Sequence, residues 1–444
     1  MTTQDSEPIR QQPEEEQQQQ QQGKHFPATH YNAAHSSGPL SFFNTTTHYH
    51  SLPLPAAKPS SSATALGEER SQPKNDGEKK NERMYHVWRS RDNRKGRHAA
   101  VVVVGESHGD DGKQRRRPTN SVKEVMRGVG KMFVRWPVWD VSWEVAFIFT
   151  VGSVIWCLNG CFAWLPLVAP STEFEGETDV AAGWLAFAGA TVFMWGSVLL
   201  MLEAVNENRS DCFGWAVEEA LENHGMMSLL HNHETCRHHH AGRKSWLKGG
   251  TLVEPAPGDN KEKKNGEVEP QPGRKWSWWP TLYELRTHYI NEIGFLAALS
   301  QFIGATIFWM AGFTSIPPIY ETLSTPVMNG TFWLPQVVGG TGFIVSSFLI
   351  MLETQKKWYL PAPKMLGWHI GLWNFIGAIG FTLCGALGFG AESSEAVEYA
   401  STLCTFIGSW AFLIGSLIQW YESLNKYPLS VEKNLSWVSL DEES

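Results

Sequence analysis

Three glutamates recur at the same place in a repeated pattern. Glu203 follows Gly189, Phe193, Gly196 and Ser197, Glu353 follows Gly339, Phe343, Ser346 and Ser347, and Glu422 follows Gly408, Phe412, Gly415 and Ser416. In each, Phe lies four residues after the glycine, a small residue and Ser at seven and eight, and Glu at fourteen. Carboxylates brought together at the mouth of a helix bundle select cations. The plainer alternative is three solvated residues that each stop an apolar span. A carboxylate at a helix C-terminus meets the unfavourable end of the dipole, so each needs a counter-cation or full hydration. Arg209, Lys356, Lys357 and Lys426 are near in sequence. The glutamates fall at the ends of their spans and not at mid-bilayer, which favours the solvated reading.

A second chemical candidate is the tract His231, His233, Cys236, His238, His239 and His240. Imidazole and thiol ligands suit soft divalent metals. The spacing matches no zinc module, so no metal or other cofactor is expected. Catalysis has little support. The chain shows no His-Glu-x-x-His, no phosphate-cradling glycine loop and no credible nucleophile set, and Val104 to Gly109 sits in a polar tail. A non-enzymatic protein is expected. Deeper polar residues are few: Asn159, Gln301 and Asn374 should hydrogen-bond between helices. No Asp, Lys or Arg falls at the centre of an apolar run, which counts against a proton-coupled transporter or pump.

The elements that must position these residues are apolar helices. Residues at seven-residue spacing stay near one helix face, so each stripe of small residues and its Glu share a side. Six apolar runs, near 144–167, 181–202, 293–316, 332–352, 367–389 and 400–421, reach the length of a membrane span. They group into three hairpins. The first helices also align: Ser142-Trp143, Gly294-Phe295 and Gly367-Trp368 precede Gly152, Gly304 and Gly377 at equal distance, with Trp156, Phe308 and Phe381 four residues later. Between helices in lipid, small residues permit close backbone approach. Gly189, Gly196, Gly339, Ser346, Gly408 and Gly415 therefore read first as packing surface and second as the lining of a path. The mean hydropathy of -0.27 hides this, because long polar stretches dilute the apolar remainder. The 21 Trp fit an interfacial role.

The fold class expected is an all-α membrane protein of six transmembrane helices in three repeated hairpins, with a disordered cytosolic N-terminal tail and loop. Residues 1–115 read as disordered, with a Gln run at 17–22 and no domain built on the short β-prone run Val101 to Val104. Residues 116–136 read as a basic amphipathic juxtamembrane segment. Lys123, Arg127, Lys131 and Arg135 recur every fourth residue, with Val122, Val125, Val129, Met132 and Phe133 on another side. Such a segment lies against anionic lipid, or supplies ordinary positive-inside charge. Hairpins follow at 137–205, 276–355 and 356–428, separated by a partly disordered, His-rich loop at 206–275 and ended by a tail at 429–444. The hairpin loops 168–179, 317–330 and 390–399 carry acids and no Lys or Arg. The positive-inside rule then places both termini and the long loop in the cytosol, in the plasma membrane or an endomembrane. A glycosylation sequon at Asn329 falls on the opposite side. No signal peptide opens the chain, so insertion would rest on the first membrane helix.

The residues Asn374 to Gly377, Gly408 to Ser416 and Gln419 to Glu422 resemble the YrhK-type domain, a two-helix membrane module. The chain over roughly 136–428 resembles fungal multi-pass integral membrane proteins containing that domain. The resemblance implies a fold and no activity. The function expected is a structural or interaction role with cytosolic tails as partner-binding arms. The alternative is a channel or facilitator for a small solute or cation along a pseudo-threefold axis. The lipid bilayer is the expected partner, with anionic lipids at Lys123, Arg127, Lys131 and Arg135; no nucleic-acid partner is expected.

Overall fold

The computed structural model describes residues 36–52, 83–103, 119, 121–207, 209–210, 213 and 276–432. The His-rich tract lies outside them. The helices relevant to the argument are α1 (Ser90–Arg94), α2 (Val122–Val134), α3 (Val141–Val168), α4 (Ala182–Val205), α5 (Ile293–Thr314), α6 (Leu334–Glu353), α7 (Leu366–Gly388) and α8 (Glu395–Leu424). With the turns that lead into α4 and α6, the last six form helices of 22 to 30 residues that are long and apolar enough to cross a membrane. Each apolar run falls on one of them. They are apolar around most of their circumference, as a helix facing lipid on one side and protein on the other must be.

The six helices close a ring. Going round, α3 packs on α4, α4 on α5, α5 on α6, α6 on α7, α7 on α8, and α8 back on α3. Small residues set these contacts. A Cβ on Gly304 would lie 2.8 Å from the Gly339 carbonyl oxygen and 3.1 Å from the Gly342 Cα, so α5 and α6 touch backbone to backbone. Gly380 and Gly408 do the same for α7 and α8, at 3.0 Å. Gly189 abuts Trp156 and Gly196 abuts Phe149 across α3 and α4. Ser346 is fully buried in α6. Dispersion between close backbones is the main attraction available between helices in lipid.

The axis of the ring is filled. Trp156, Phe308 and Phe381 meet with ring centroids 4.8, 5.7 and 5.8 Å apart. Phe412 packs edge-on, 5.3 Å from Phe381, 5.6 Å from Phe193 and 6.4 Å from Phe343. Each helix of the ring contributes one of these six aromatic rings, all buried. They are the aromatics of the sequence pattern, and the edge-to-face geometry of most of the pairs is the preferred one.

A five-stranded sheet sits at the end of the bundle where the three glutamates lie. Its order is β1 (Ser36–Ser37), β2 (Thr47–Leu52), β3 (Arg83–Arg89), β4 (Ala99–Val103) and β5 (Leu429–Glu432). The first four pair antiparallel, and β4 pairs parallel with β5, joining Val101 to Ser430. Two expectations are corrected here. Residues 36–52 and 83–103 fall in the stretch read as disordered, and they contain β1 to β4 and the helix α1. The run at Val101 that carried no domain is β4, with Val87, Ala99 and Val101 as a small apolar core. The fold is thus an all-α ring carrying a β cap, and the cap uses both ends of the chain.

The amphipathic segment is helical as α2. Met132 packs with Trp143 and Leu424, and Gly128 leaves room for the Tyr421 ring. Val122, Met126, Phe133 and Val134 stay exposed beside Lys123, Arg127, Lys131 and Arg135.

Candidate functional site

The connection between β3 and β4 is not a tight turn. It carries α1 and the residues Lys95 to His98, and it enters the mouth of the helix ring. Asp92 and Gly96 shape it: the Arg97 N–H donates to the Asp92 carbonyl oxygen at 2.8 Å, and Gly96 has φ +58°. That left-handed conformation favours glycine. A Cβ there would also lie 2.8 Å from the Ser210 hydroxyl.

This segment delivers one cation or more to each glutamate. Arg94 takes Glu353 in a two-pronged grip, Nη2 donating to Oε2 at 2.8 Å and Nη1 to Oε1, while the Ser90 hydroxyl donates to Oε1 at 2.6 Å. Arg91 grips Glu422 through Nη2 to Oε2 at 2.8 Å and Nε to Oε1 at 3.3 Å. Arg97 Nη1 donates to Glu422 Oε1 at 2.9 Å and to Asp92 Oδ1 at 2.7 Å. Lys95 Nζ lies 3.3 Å from Glu203 Oε1. The planar guanidinium fork matches a carboxylate in a way an ammonium does not, and the weakest of the three seats is the lysine's.

The glutamates are 1 to 3% exposed. The reading of Glu203, Glu353 and Glu422 as solvated boundary marks is therefore corrected: they are buried, and a single inserted segment joins them. The partners expected from sequence proximity are corrected too. The cations come from positions 91 to 97, more than a hundred residues away from the nearest of the glutamates, and Lys426 turns instead to Asp140 at 2.6 Å, Ser142 Oγ at 2.7 Å and the Lys95 carbonyl at 2.7 Å. The small residues that open α3, α5 and α7 make room for these cations. A Cβ on Gly294 would collide with the Arg94 guanidinium, a Cβ on Gly367 would lie 2.6 Å from Arg91 Nε, and Ser142 receives Lys426. Cations at the C-termini of α4, α6 and α8 also answer the helix dipoles that the glutamates oppose.

Burial works against the charge of Arg91 and Arg94, but the carboxylates beside them outweigh it, and both pKa values rise above the ordinary arginine range. For Lys95 burial wins, Glu203 offsets only part of it, and the pKa falls below the ordinary lysine value. The cost of holding that ammonium is full below the lowered pKa and is relieved as pH climbs toward the free-lysine range, so seating of the segment gains stability in that window.

Beneath the segment lies a cavity of about 50 Å³. Its lining includes Arg91, Arg94, Lys95 and Glu203, the rings of Phe193 and Phe412, and the side chains of Gln301, Asn374 and Gln419. Gln301 and Asn374 were expected to hydrogen-bond between helices. They face this space and bond to no described residue, which corrects that expectation; Asn159 does bond across α3 and α4, its Nδ2 donating to the Ala182 carbonyl at 2.7 Å.

Glu207, His288 and Glu292 form a further cluster beside α1, with ligand atoms within 4.8 Å of one another. His288 Nε2 lies 3.9 Å from Glu207 and 4.0 Å from Glu292, wider than the roughly 3.3 Å between ligands about a tetrahedral zinc with bonds of ~2.0 Å. Asn93 donates to Glu207 at 2.9 Å and Asn44 to Glu292 at 3.2 Å. The cluster thus ties the inserted segment, through Asn93, and the β1–β2 connection, through Asn44, to the start of α5. The weak metal candidates His231, His233, Cys236 and His238 lie outside the described residues.

Sequence reasoning missed Arg91, Arg94, Lys95 and Arg97. Their signal is four cations in seven residues with one acid, Asp92, between them, inside the stretch that composition alone reads as disordered. No protein-family model, curated protein or solved structure matches the chain.

Proposed function

We propose that this chain is a non-enzymatic, multi-pass integral membrane protein with a structural or interaction role, in which the helix ring anchors a cytosolic face assembled from both chain ends. One observation carries the reading: six aromatic rings, one from each helix, fill the axis where a path would run. The ion-paired segment at the mouth supports it, because buried ion pairs fix one docking geometry better than they add stability. The shared spacing of the three hairpins, and the resemblance to YrhK-type proteins, support a repeated membrane unit. Positive-inside charge supports cytosolic termini. Reconstituted in liposomes, the unmodified chain is expected to pass no cations and no small solutes. A flux abolished by replacing Glu203, Glu353 and Glu422 with Gln would overturn the reading in favour of a facilitator along the axis. The cavity under the segment, with polar side chains in a largely apolar lining, is the observation that favours this second reading.

The exposed apolar and basic residues of α2 support contact with an anionic leaflet. Changing Lys123, Arg127, Lys131 and Arg135 together to Gln is expected to weaken binding of a 119–136 peptide to vesicles containing phosphatidylserine. Equal binding by the changed peptide would show that charge plays no part.

A further inference from the structure

The cavity beneath the inserted segment has chemistry that the ion pairs do not use. Lys95 and Glu203 are each 1% exposed. Lys95 Nζ has no hydrogen-bond partner, its contact with Glu203 Oε1 being near in distance but poorly directed, and Glu203 Oε2 has none either. The amides of Gln301, Asn374 and Gln419 line the same space and make no hydrogen bonds to described residues. Five polar side chains thus border one small volume beneath the inserted segment, with both donors and acceptors unspent. An unmade hydrogen bond from a buried polar group costs about 1–3 kcal/mol, more for a charged one. Phe193 and Phe412 also line the space. The carboxylates of Glu353 and Glu422 are already matched by arginines, so net charge offers little to a free ion.

We propose that this cavity is a binding site for a compact, neutral solute that both donates and accepts hydrogen bonds, the chemistry of an amide, a urea or a polyol, of which water is the smallest member. A carbonyl or hydroxyl oxygen accepts from Lys95, an N–H or O–H donates to Glu203 Oε2, and the three amides complete the shell. The volume holds roughly three to five waters at ~10–15 Å³ each, or one solute of a few heavy atoms. The site exists whether or not anything crosses the membrane.

X-ray hydroxyl-radical footprinting of the full chain in nanodiscs tests this, because radicals form from water trapped inside a protein. Phe193 and Phe412, against the cavity, are expected to oxidise severalfold faster than Phe308 and Phe343, which are also buried but lie away from it. Equal, slow oxidation of all four would overturn the proposal. Repeating the measurement in urea or acetamide, normalised to Phe42, which is exposed on the β cap, distinguishes the occupants: protection that saturates with concentration identifies an entering solute, and unchanged oxidation identifies water. A Gln301→Leu/Asn374→Leu chain fills and dries the space without touching the ion pairs. Its Phe193 and Phe412 should fall to the rate of Phe308; persistence of fast oxidation in a chain of undiminished thermal stability would contradict the assignment.

Discussion

Arg94→Ala is expected to destabilise the protein by about 3–5 kcal/mol, the usual loss when one partner of a buried ion pair is removed. The cause is less the lost attraction than what is left behind. Glu353 is 3% exposed, sits at the C-terminus of α6, and would keep only the Ser90 hydroxyl as a direct partner. An isolated carboxylate there either takes a proton or drags in water. Because Arg94 stands on the connection between β3 and β4, its loss should also free the segment from the mouth. Unfolding of the detergent-solubilised chain would report the stability, and hydrogen exchange over residues 90–98 the seating. Loss confined to exchange, with the ring as stable as before, would show that the helices do not depend on the plug.

Trp156→Ala should cost about 3 kcal/mol. Trp156 is 4% exposed and touches the rings of Phe193, Phe308 and Phe381 on three different helices. Lipid tails are as apolar as the ring interior, so the loss is one of packing and not of burial from water. The hole would lie on the axis, within the central aromatic cluster. Thermal unfolding measures the cost. A change under about 1 kcal/mol would mean that neighbouring rings collapse into the space.

Much of this arrangement is written in local sequence. Apolar length marks the six spans, and the four-residue step from the stripe glycine puts Phe193, Phe343 and Phe412 on the same side of their helices as the small residues. The seven-residue spacing marks Gly339 and Gly408 as places of backbone contact. What the spacing could not show is which molecule, or which part of this one, meets the glutamates. A carboxylate at a span end looks alike whether it faces water or an arginine brought from far along the chain. Arg94 and Glu353 are 259 positions apart, and nothing periodic connects them. The strands were hidden for a related reason. β4 and β5 are short: β4 lies between β3 and β5, and β5 becomes a strand only beside β4, across the entire membrane domain. Gly294 and Gly367 held a partial clue, since a small residue opening a helix leaves room for something, but the identity of the occupant lay outside the helix.

The central claim is that the segment at 90–97 seats on the glutamates through specific pairs. A double-mutant cycle on Arg94 and Glu353 tests it most directly, using Arg94→Ala, Glu353→Ala and the two together, each measured by reversible unfolding in mixed micelles. The geometry predicts a coupling of about 2–3 kcal/mol, the double change costing far less than the sum of the single ones. Additivity within about 0.5 kcal/mol would show that the two residues do not meet, and would contradict the plugged ring.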